Sequence, residues 1–172
     1  MNWFLITSLM SLLKIAKNLN EIDIIPLLMG SVGLEIVTGM NWDAQDLDIH
    51  VPGDERGWKV PPELSIHNWN EIMIIIIMQS MNYRLIDVHE HEFSKDGLSV
   101  EFGIIDTLPE FAGVQLKNLE IHQEGDIMYY LLSPEQYLSV YEVSSKDSYR
   151  GENNNHKDGR KIEYLKSMVG HD

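Results

Sequence analysis

The sequence predicts an α+β protein, in which helices flank a central β-sheet and a helical segment ends the chain. The apolar run from Ile24 to Met29 is typical of a strand buried on both faces, and Gly30 stops it. From Asp46 to Val51, acidic or polar side chains alternate with apolar ones, which indicates a second strand. By contrast, apolar residues recur every three or four positions from Asn2 to Lys17, as in an amphipathic helix.

Length and composition limit the organisation of the chain and its partners. The 172 residues suffice for one structural unit, with residues 1–132 as an α/β core and residues 133–172 as a helical segment packed on it. A formal net charge of −14 makes a long nucleic acid an unlikely partner, because its phosphates would be repelled.

Cysteine usage and the apolar runs bear on localisation. The chain has no cysteine, which excludes disulfides, thiolate metal sites and a thiolate nucleophile. The run from Trp3 to Leu13 lacks the flanks of a signal peptide, and Ile72 to Met78 is too short to cross a bilayer. We therefore expect an intracellular, cytoplasmic protein without a membrane partner, and the sequence leaves its oligomeric state open.

The segments after the first strand alternate between helices and loops. Residues Ser31 to Thr38 predict a short helix capped by Ser31 and ended by Gly39. Glycine and prolines predict a loop over Asp54 to His67. The stretch from Asn70 to Met81 fits a strand or a helix, and its length and capping signals favour the helix. Those signals are Asn68 or Asn70 as the N-cap and Glu71 in the first turn.

The second half of the chain predicts a hairpin, two further strands and two helices. The β segments Tyr83 to Phe93 and Leu98 to Asp106 are separated by Ser94 to Gly97, whose Asp-Gly pair is a hairpin signal. The remaining predictions are strands over Lys117 to Gln123 and Ile127 to Leu132, a helix from Ser133 to about Lys146, a loop over Gly151 to Asn155, and a helix from His156 to Val169.

Acidic side chains on the predicted strands are the candidate chemical groups. Asp46 and Asp48 are two positions apart and point to the same face of their strand, so their charges repel unless a cation lies between them. Hard oxygen ligands of this kind suit Mg²⁺ or Mn²⁺. In the later strand, alternation places Glu101 with Gly103 on one face, where Glu101 is either a third ligand or an exposed carboxylate.

The order of these motifs resembles the signature of the nucleotidyltransferase-fold superfamily. The resemblance is carried by Gly30-Ser31 closing an apolar strand, a short helix, and then Asp46-Leu47-Asp48-Ile49. That superfamily includes DNA polymerase beta, antibiotic nucleotidyltransferases and many small bacterial proteins. The resemblance implies a mixed central sheet and the Mg²⁺- or Mn²⁺-dependent transfer of a nucleoside monophosphate from a nucleoside triphosphate such as ATP. The acceptor, a small molecule or a protein side chain, is not identified by the sequence.

The resemblance also implies roles for individual residues. Asp46, Asp48 and Glu101 would hold the metal ions, and Glu101 could help to deprotonate the acceptor hydroxyl. The final stretch, 155–165, resembles the Lys/Arg-Asp helix that closes many small bacterial members. Ahead of Asp46, where many relatives have arginine or threonine, this chain has Trp42 to Gln45. The triphosphate would be bound by Gly30 and Ser31 and by positive charge from Lys157, with Arg150 or Arg160.

Three alternatives remain open from the sequence. The same cleft could belong to a catalytically silent member that binds a nucleotide or a partner protein in a toxin-antitoxin or regulatory pair. The Asp-x-Asp could instead lie on the surface of an unrelated α/β binding protein, in which case Gly30-Ser31 and Asp46 would be distant. His89 and His91, expected on one face of a strand, could bind a transition metal, although the nearby sequence offers no third ligand.

Overall fold

The structure, a computed structural model, describes residues 2–67, 69, 74–146 and 148–170. The side chains of residues 148–157 lie outside this description, as do Asn68, Asn70 and Glu71, the predicted capping residues of the fourth helix. No helix among the described residues combines the length and the hydropathy needed to cross a bilayer.

The described strands form one mixed sheet with the order β3-β4-β5-β2-β1-β7-β6. At its centre, β1 pairs antiparallel with β2 and parallel with β7, and β2 pairs parallel with β5. The predicted α+β architecture with a mixed sheet is therefore confirmed. The strands are β1 Leu27–Met29, β2 Leu47–Val51, β3 Arg84–Asp87, β4 Glu92–Lys95, β5 Leu98–Ile104, β6 Glu120–Glu124 and β7 Ile127–Leu131.

Seven α-helices occur in the described residues. The first begins after Asn2, whose side-chain oxygen accepts a hydrogen bond from the Leu5 backbone N–H at 2.7 Å. The helices are α1 Trp3–Asn20, α2 Gly30–Thr38, α3 Pro62–Ser65, α4 Ile74–Ser80, α5 Leu108–Ala112, α6 Pro134–Lys146 and α7 Ser148–Met168. Short 3-10 turns lie at Gly57–Lys59, Ile105–Thr107 and Leu116–Asn118.

The hairpin region contains one strand more than the sequence predicted. The predicted single segment from Tyr83 to Phe93 is interrupted by a turn at residues 88–91, which separates β3 from β4. His91 adopts a positive φ of 51° there, a conformation that a strand cannot accommodate. The Asp-Gly turn itself is confirmed, because Asp96 and Gly97 both have positive φ and Lys95 pairs with Leu98 across them.

Three other predictions are corrected. The predicted loop over Asp54 to His67 contains the short helix α3, which Pro62 begins. The first residue of α2 is Gly30, and no side chain caps this helix, so Ser31 does not act as its N-cap. The predicted loop over Gly151 to Asn155 is helical, because α7 already begins at Ser148.

A buried hydroxyl connects α6 to the central strands. The Tyr137 hydroxyl donates a hydrogen bond to the Leu28 carbonyl at 2.8 Å, and the Tyr137 side chain is fully buried. Gly33 of α2 leaves the room for this contact, since a Cβ at Gly33 would collide with the Tyr137 hydroxyl. The glycine thus lets α2 and α6 pack closely on β1, at the strand that leads into the Gly30-Ser31 turn.

The Gly33→Ala variant is expected to lower the free energy of unfolding by about 1 to 3 kcal/mol, because the added methyl group overpacks the Tyr137 hydroxyl. Gly159→Ala is the matched control, since Gly159 is also helical but nothing lies within 4 Å of the position its Cβ would take. This control should stabilise the protein by up to ~1 kcal/mol through helix propensity. Urea denaturation measures both, and equal stabilisation by the two variants would contradict the packing described.

Candidate active site

The turn between β1 and α2 brings the two sequence motifs together. Gly30 has a φ of +68°, and a Cβ at this position would lie 2.7 Å from the Asp48 Oδ2. The register explains the contact, because Met29, the residue before Gly30, pairs with Asp48 across β1 and β2. The Asp48 carboxylate therefore lies beside the N-terminus of α2, where the helix dipole favours negative charge.

The sheet register aligns a row of acidic side chains across three strands. Asp48 on β2 pairs with Glu101 on β5, and Glu101 in turn pairs with Glu92 on β4. Directly paired residues point to the same face of a sheet, so the three carboxylates share one face. Asp46 lies one residue ahead of β2, at the same edge. The structure thus places all three predicted acidic residues, Asp46, Asp48 and Glu101, in one region and adds Glu92.

Burial and mutual repulsion both disfavour the charged forms of these carboxylates. The pKa of Glu101 is raised to about 7, first by burial and then by the charges of Asp48, Asp46, Glu92 and Glu90. The pKa of Asp46 is also raised, mainly by burial and next by the charge of Glu92, while the charge of Lys161 opposes this. The concentration of negative charge on this face favours the binding of a cation.

Lys161 on α7 brings a positive charge to the turn. Its Nζ donates a hydrogen bond to the Ser31 Oγ at 3.0 Å and lies 5.1 Å from the centre of the Tyr141 ring. The side chain is only 6% exposed, so its charge is weakly screened. The resemblance implies that Lys157 and Arg150 bind the triphosphate, but their side chains lie outside the described part of the structure.

A groove begins beside Lys161 and follows α7. Its volume is about 580 Å³, and it lies between residues 40–43 and the C-terminal half of α7. The Trp42 and Tyr164 rings meet edge to face across it, with centroids 5.8 Å apart. Arg160 also lines this groove, so it offers aromatic and cationic surface next to the Ser31 hydroxyl.

His50 follows Asp48 by two residues on β2 and therefore lies on the same face of the sheet. Burial lowers its pKa to about 4, so the ring is neutral at physiological pH. Its Nδ1 is buried and has no hydrogen-bond partner among the described residues. Gly103 pairs with His50 across β2 and β5, and a Cβ at Gly103 would collide with the imidazole. Gly103 therefore leaves room for this ring beside Glu101.

His89 and His91 do not form a metal pair. The His89 side chain is 82% exposed and contacts Glu90, whereas the His91 Nε2 lies 2.7 Å from the Pro62 carbonyl. Burial lowers the pKa of His91. Throughout the described residues, no group of three or more histidine and acidic side chains is arranged so that the protein alone could hold a metal ion.

Two neighbours of the site were not assigned roles from the sequence. Glu92 could have been found by counting back from the Asp96-Gly97 turn, since a two-residue hairpin loop sets Glu92 opposite Glu101. Lys161 gives a weaker signal. Asp158, Lys161 and Leu165 are buried on the same side of α7, at the spacing of a helix face. A search for apolar residues at this spacing misses the face, because two of the three residues are charged.

Comparison with known proteins connects this geometry to a family. A family model described as aminoglycoside-2''-adenylyltransferase matches residues 11–165. The chain belongs to the aminoglycoside-2''-adenylyltransferase family. This assignment confirms the resemblance to the nucleotidyltransferase-fold superfamily, and it supports a nucleotidyltransferase activity in general and a nucleotide as substrate.

Relatives of this adenylyltransferase-family chain include a bacterial protein and a solved structure. The chain is 37% identical over 161 residues to "Uncharacterized protein YnaI" of Bacillus subtilis (strain 168), covering 91% of this chain and 94% of that protein. It also matches the crystal structure of an antigenic nucleotidyltransferase-like protein from Paracoccidioides brasiliensis with a TM-score of 0.56. That match covers 92% of this chain and 75% of the other at 15% identity, which shows a shared fold.

The raised pKa of Glu101 predicts that stability depends on pH. Its folded value of about 7 lies above its ordinary value of 4.5, so the contribution is fully present below pH 4.5 and is lost as pH rises through 7. Relative to wild type, Glu101→Gln should gain stability at about pH 8 and gain little at about pH 5 in urea denaturation.

Glu120→Gln, at an exposed position of β6, serves as the control and should be equally stable relative to wild type at both pH values. If Glu101→Gln follows the same pH dependence as wild type, Glu101 is not repelled by the neighbouring carboxylates.

Proposed function

We propose that the protein is a divalent-metal-dependent nucleotidyltransferase that transfers the nucleoside monophosphate of ATP to a hydroxyl group of a small, positively charged acceptor. The observation that carries this proposal is the register that sets Asp48 opposite Glu101 beside the Gly30-Ser31 turn. Membership of the aminoglycoside-2''-adenylyltransferase family supports ATP as the donor.

The acidic face fits Mg²⁺ or Mn²⁺ by the chemistry of its donors. Asp46, Asp48 and Glu101 supply hard oxygens, and the repulsion that raises the pKa of Glu101 would be relieved by a divalent cation. No three described side chains are arranged to hold a metal ion by themselves, so phosphate oxygens of the nucleotide would supply further ligands. When bound, the metal would polarise the phosphates and stabilise the leaving pyrophosphate.

Residues at the start of α2 and on α7 would hold the triphosphate. Ser31 and the backbone N–H groups of the first turn of α2 can donate hydrogen bonds to phosphate oxygens. Lys161 already reaches the Ser31 hydroxyl and would place a buried positive charge on the same anion. The groove of about 580 Å³ that begins at Lys161 gives the bound nucleotide room beside this cradle.

Glu101 would act on the acceptor. The acceptor hydroxyl oxygen forms a bond to the α-phosphorus, and the bond from that phosphorus to the oxygen bridging to the β-phosphate breaks. Pyrophosphate leaves, and the hydroxyl proton passes to the Glu101 carboxylate, which acts as the general base. The negative charge of Glu90, Glu92 and Glu101 favours a cationic acceptor, in agreement with the family description.

A second candidate function is a catalytically silent protein that binds a nucleotide or a partner protein through the same cleft. One observation favours it, namely that the described carboxylates do not form a closed metal-binding group. The two candidates differ in one measurable respect, since only the first releases pyrophosphate.

Asp46→Asn and Asp48→Asn should each weaken the Mg²⁺-dependent binding of ATP by at least about tenfold while the fold is preserved, because a metal ligand is lost. Calorimetric titration with ATP, with and without Mg²⁺, measures the affinity, and circular dichroism checks the fold. Asp126→Asn, in the exposed turn between β6 and β7, is the matched control. Unchanged affinity in both site variants would rule out the metal assignment.

Incubation with ATP labelled at the α-phosphorus, Mg²⁺ and an aminoglycoside should give a labelled acceptor and one pyrophosphate per transfer. Lys161→Met should raise the KM for ATP by about tenfold or more, because a charged hydrogen bond to the triphosphate is removed. Lys166→Met, on the exposed side of α7, should behave as wild type. ATP binding without label transfer to any hydroxyl-bearing cation tried would support the silent candidate instead.

A further inference from the structure

We propose that the protein has a second ligand pocket, apart from the acidic face, which binds a small organic cation through Glu35. The pocket is a cavity of about 530 Å³ between α1, α2 and β7. Residues Met40 and Asn41 line it and also line the groove along α7, so this segment separates the two spaces. The side chains used below to argue the chemistry of this Glu35 pocket are Leu5, Leu9, Glu35, Ile36, Met40 and Tyr129.

Glu35 has a buried side chain, and only one of its two carboxylate oxygens accepts hydrogen bonds from described residues. The residue is 3% exposed. Its Oε2 accepts hydrogen bonds from the backbone N–H groups of Trp42 at 2.8 Å and Ala44 at 3.3 Å. Its Oε1 is buried and accepts no hydrogen bond from any described residue. Buried carboxylate oxygens are normally paired, so an oxygen without a donor on a side chain that lines a cavity indicates a missing partner.

The rest of the Glu35 pocket defines what that partner would be. Leu5 and Leu9 of α1, Ile36 of α2 and Met40 give it apolar walls, and Tyr129 of β7 adds an aromatic ring. A donor group that carries positive charge would pair with the Oε1 and be attracted by the ring, while a hydrocarbon body would fill the apolar space. This combination fits a primary ammonium or an amidinium group attached to an apolar group of a few carbon atoms.

The Glu35 pocket is connected to the acidic face through the same carboxylate. The Oε2 holds the backbone of Trp42 and Ala44, and Ala44 lies two residues ahead of Asp46. A cation on the Oε1 would therefore share Glu35 with the segment that positions the acidic strand. The binding itself does not require the proposed transferase activity, so the two can fail separately.

Three matched probes test the charge requirement: 2-phenylethylammonium, 2-phenylethanol and 3-phenylpropionate. We expect the ammonium to bind the wild-type protein about tenfold more tightly than the alcohol, and the carboxylate not to bind. Calorimetry measures the affinities without nucleotide or metal. In protein labelled on the methionine methyl groups, the NMR signal of Met40 should shift on binding, whereas that of the buried Met78 should not.

Variants locate the site. Glu35→Gln should remove the preference for the ammonium. Its amide oxygen can still accept the hydrogen bonds from the Trp42 and Ala44 backbone N–H groups, but an uncharged NH₂ group then replaces the Oε1. Leu9→Phe should block the ammonium and the alcohol by filling the Glu35 pocket, and it leaves Glu35 intact, which decides the matter if Glu35→Gln fails to fold. Met10→Phe, at the neighbouring exposed position, is its control and should bind as wild type.

Several outcomes overturn the proposal. These are equal binding of the ammonium and the alcohol by the wild-type protein, no binding of the ammonium by the wild-type protein, a preference for the ammonium that survives Glu35→Gln, and ammonium binding that survives Leu9→Phe. A shift of the Met78 signal without one at Met40 also overturns it, because the probe would then bind elsewhere.

Discussion

The pairing of Asp48 with Glu101 on adjacent parallel strands is the constraint on which the rest of the site depends. It fixes two like charges on one half-buried sheet face, and the antiparallel pairing of β4 adds Glu92. Such a face is unfavourable by itself, and the raised pKa values of Glu101 and Asp46 express that cost. A fold selected only for stability would place neutral or opposite charges there, so the repulsion supports the proposed site for cations.

Lys161 on α7 supplies the positive charge that opposes these carboxylates, although it is distant from them in sequence. Lys161 is anchored on Ser31 and packs over Tyr141, so α7, α6 and the start of α2 meet at one point. The low exposure of this lysine gives its charge a longer reach than a surface lysine has. Because α7 carries both this lysine and one wall of the groove, movement of α7 would alter the anion cradle and the groove together.

The sequence alone identified the motifs, but it did not identify the residues that contact these motifs in the folded chain. Gly30, Asp48 and Glu101 follow from strand alternation and local turn chemistry, because both depend on neighbouring residues. The turn at residues 88–91 could not be found, since His91 in a left-handed conformation is favoured by its burial against Trp69 and Pro62 rather than by local propensity. Lys161 was likewise obscured, because the choice among several basic residues on one helix depends on how the helix packs.

The segment ahead of Asp46 is held in place by contacts with α2 and α7. Where the resemblance to nucleotidyltransferases implies an arginine or a threonine, Trp42 donates its indole N–H to Thr38 at 2.9 Å, and its ring packs on Tyr164. Glu35 fixes the backbone of the same segment from the other side. This segment is therefore held in place without a positive charge, so under the proposed function the charge that binds the triphosphate would come from α7. The proposed function would thus account for a lysine buried at position 161, where a surface helix of an ordinary domain would bury an apolar residue.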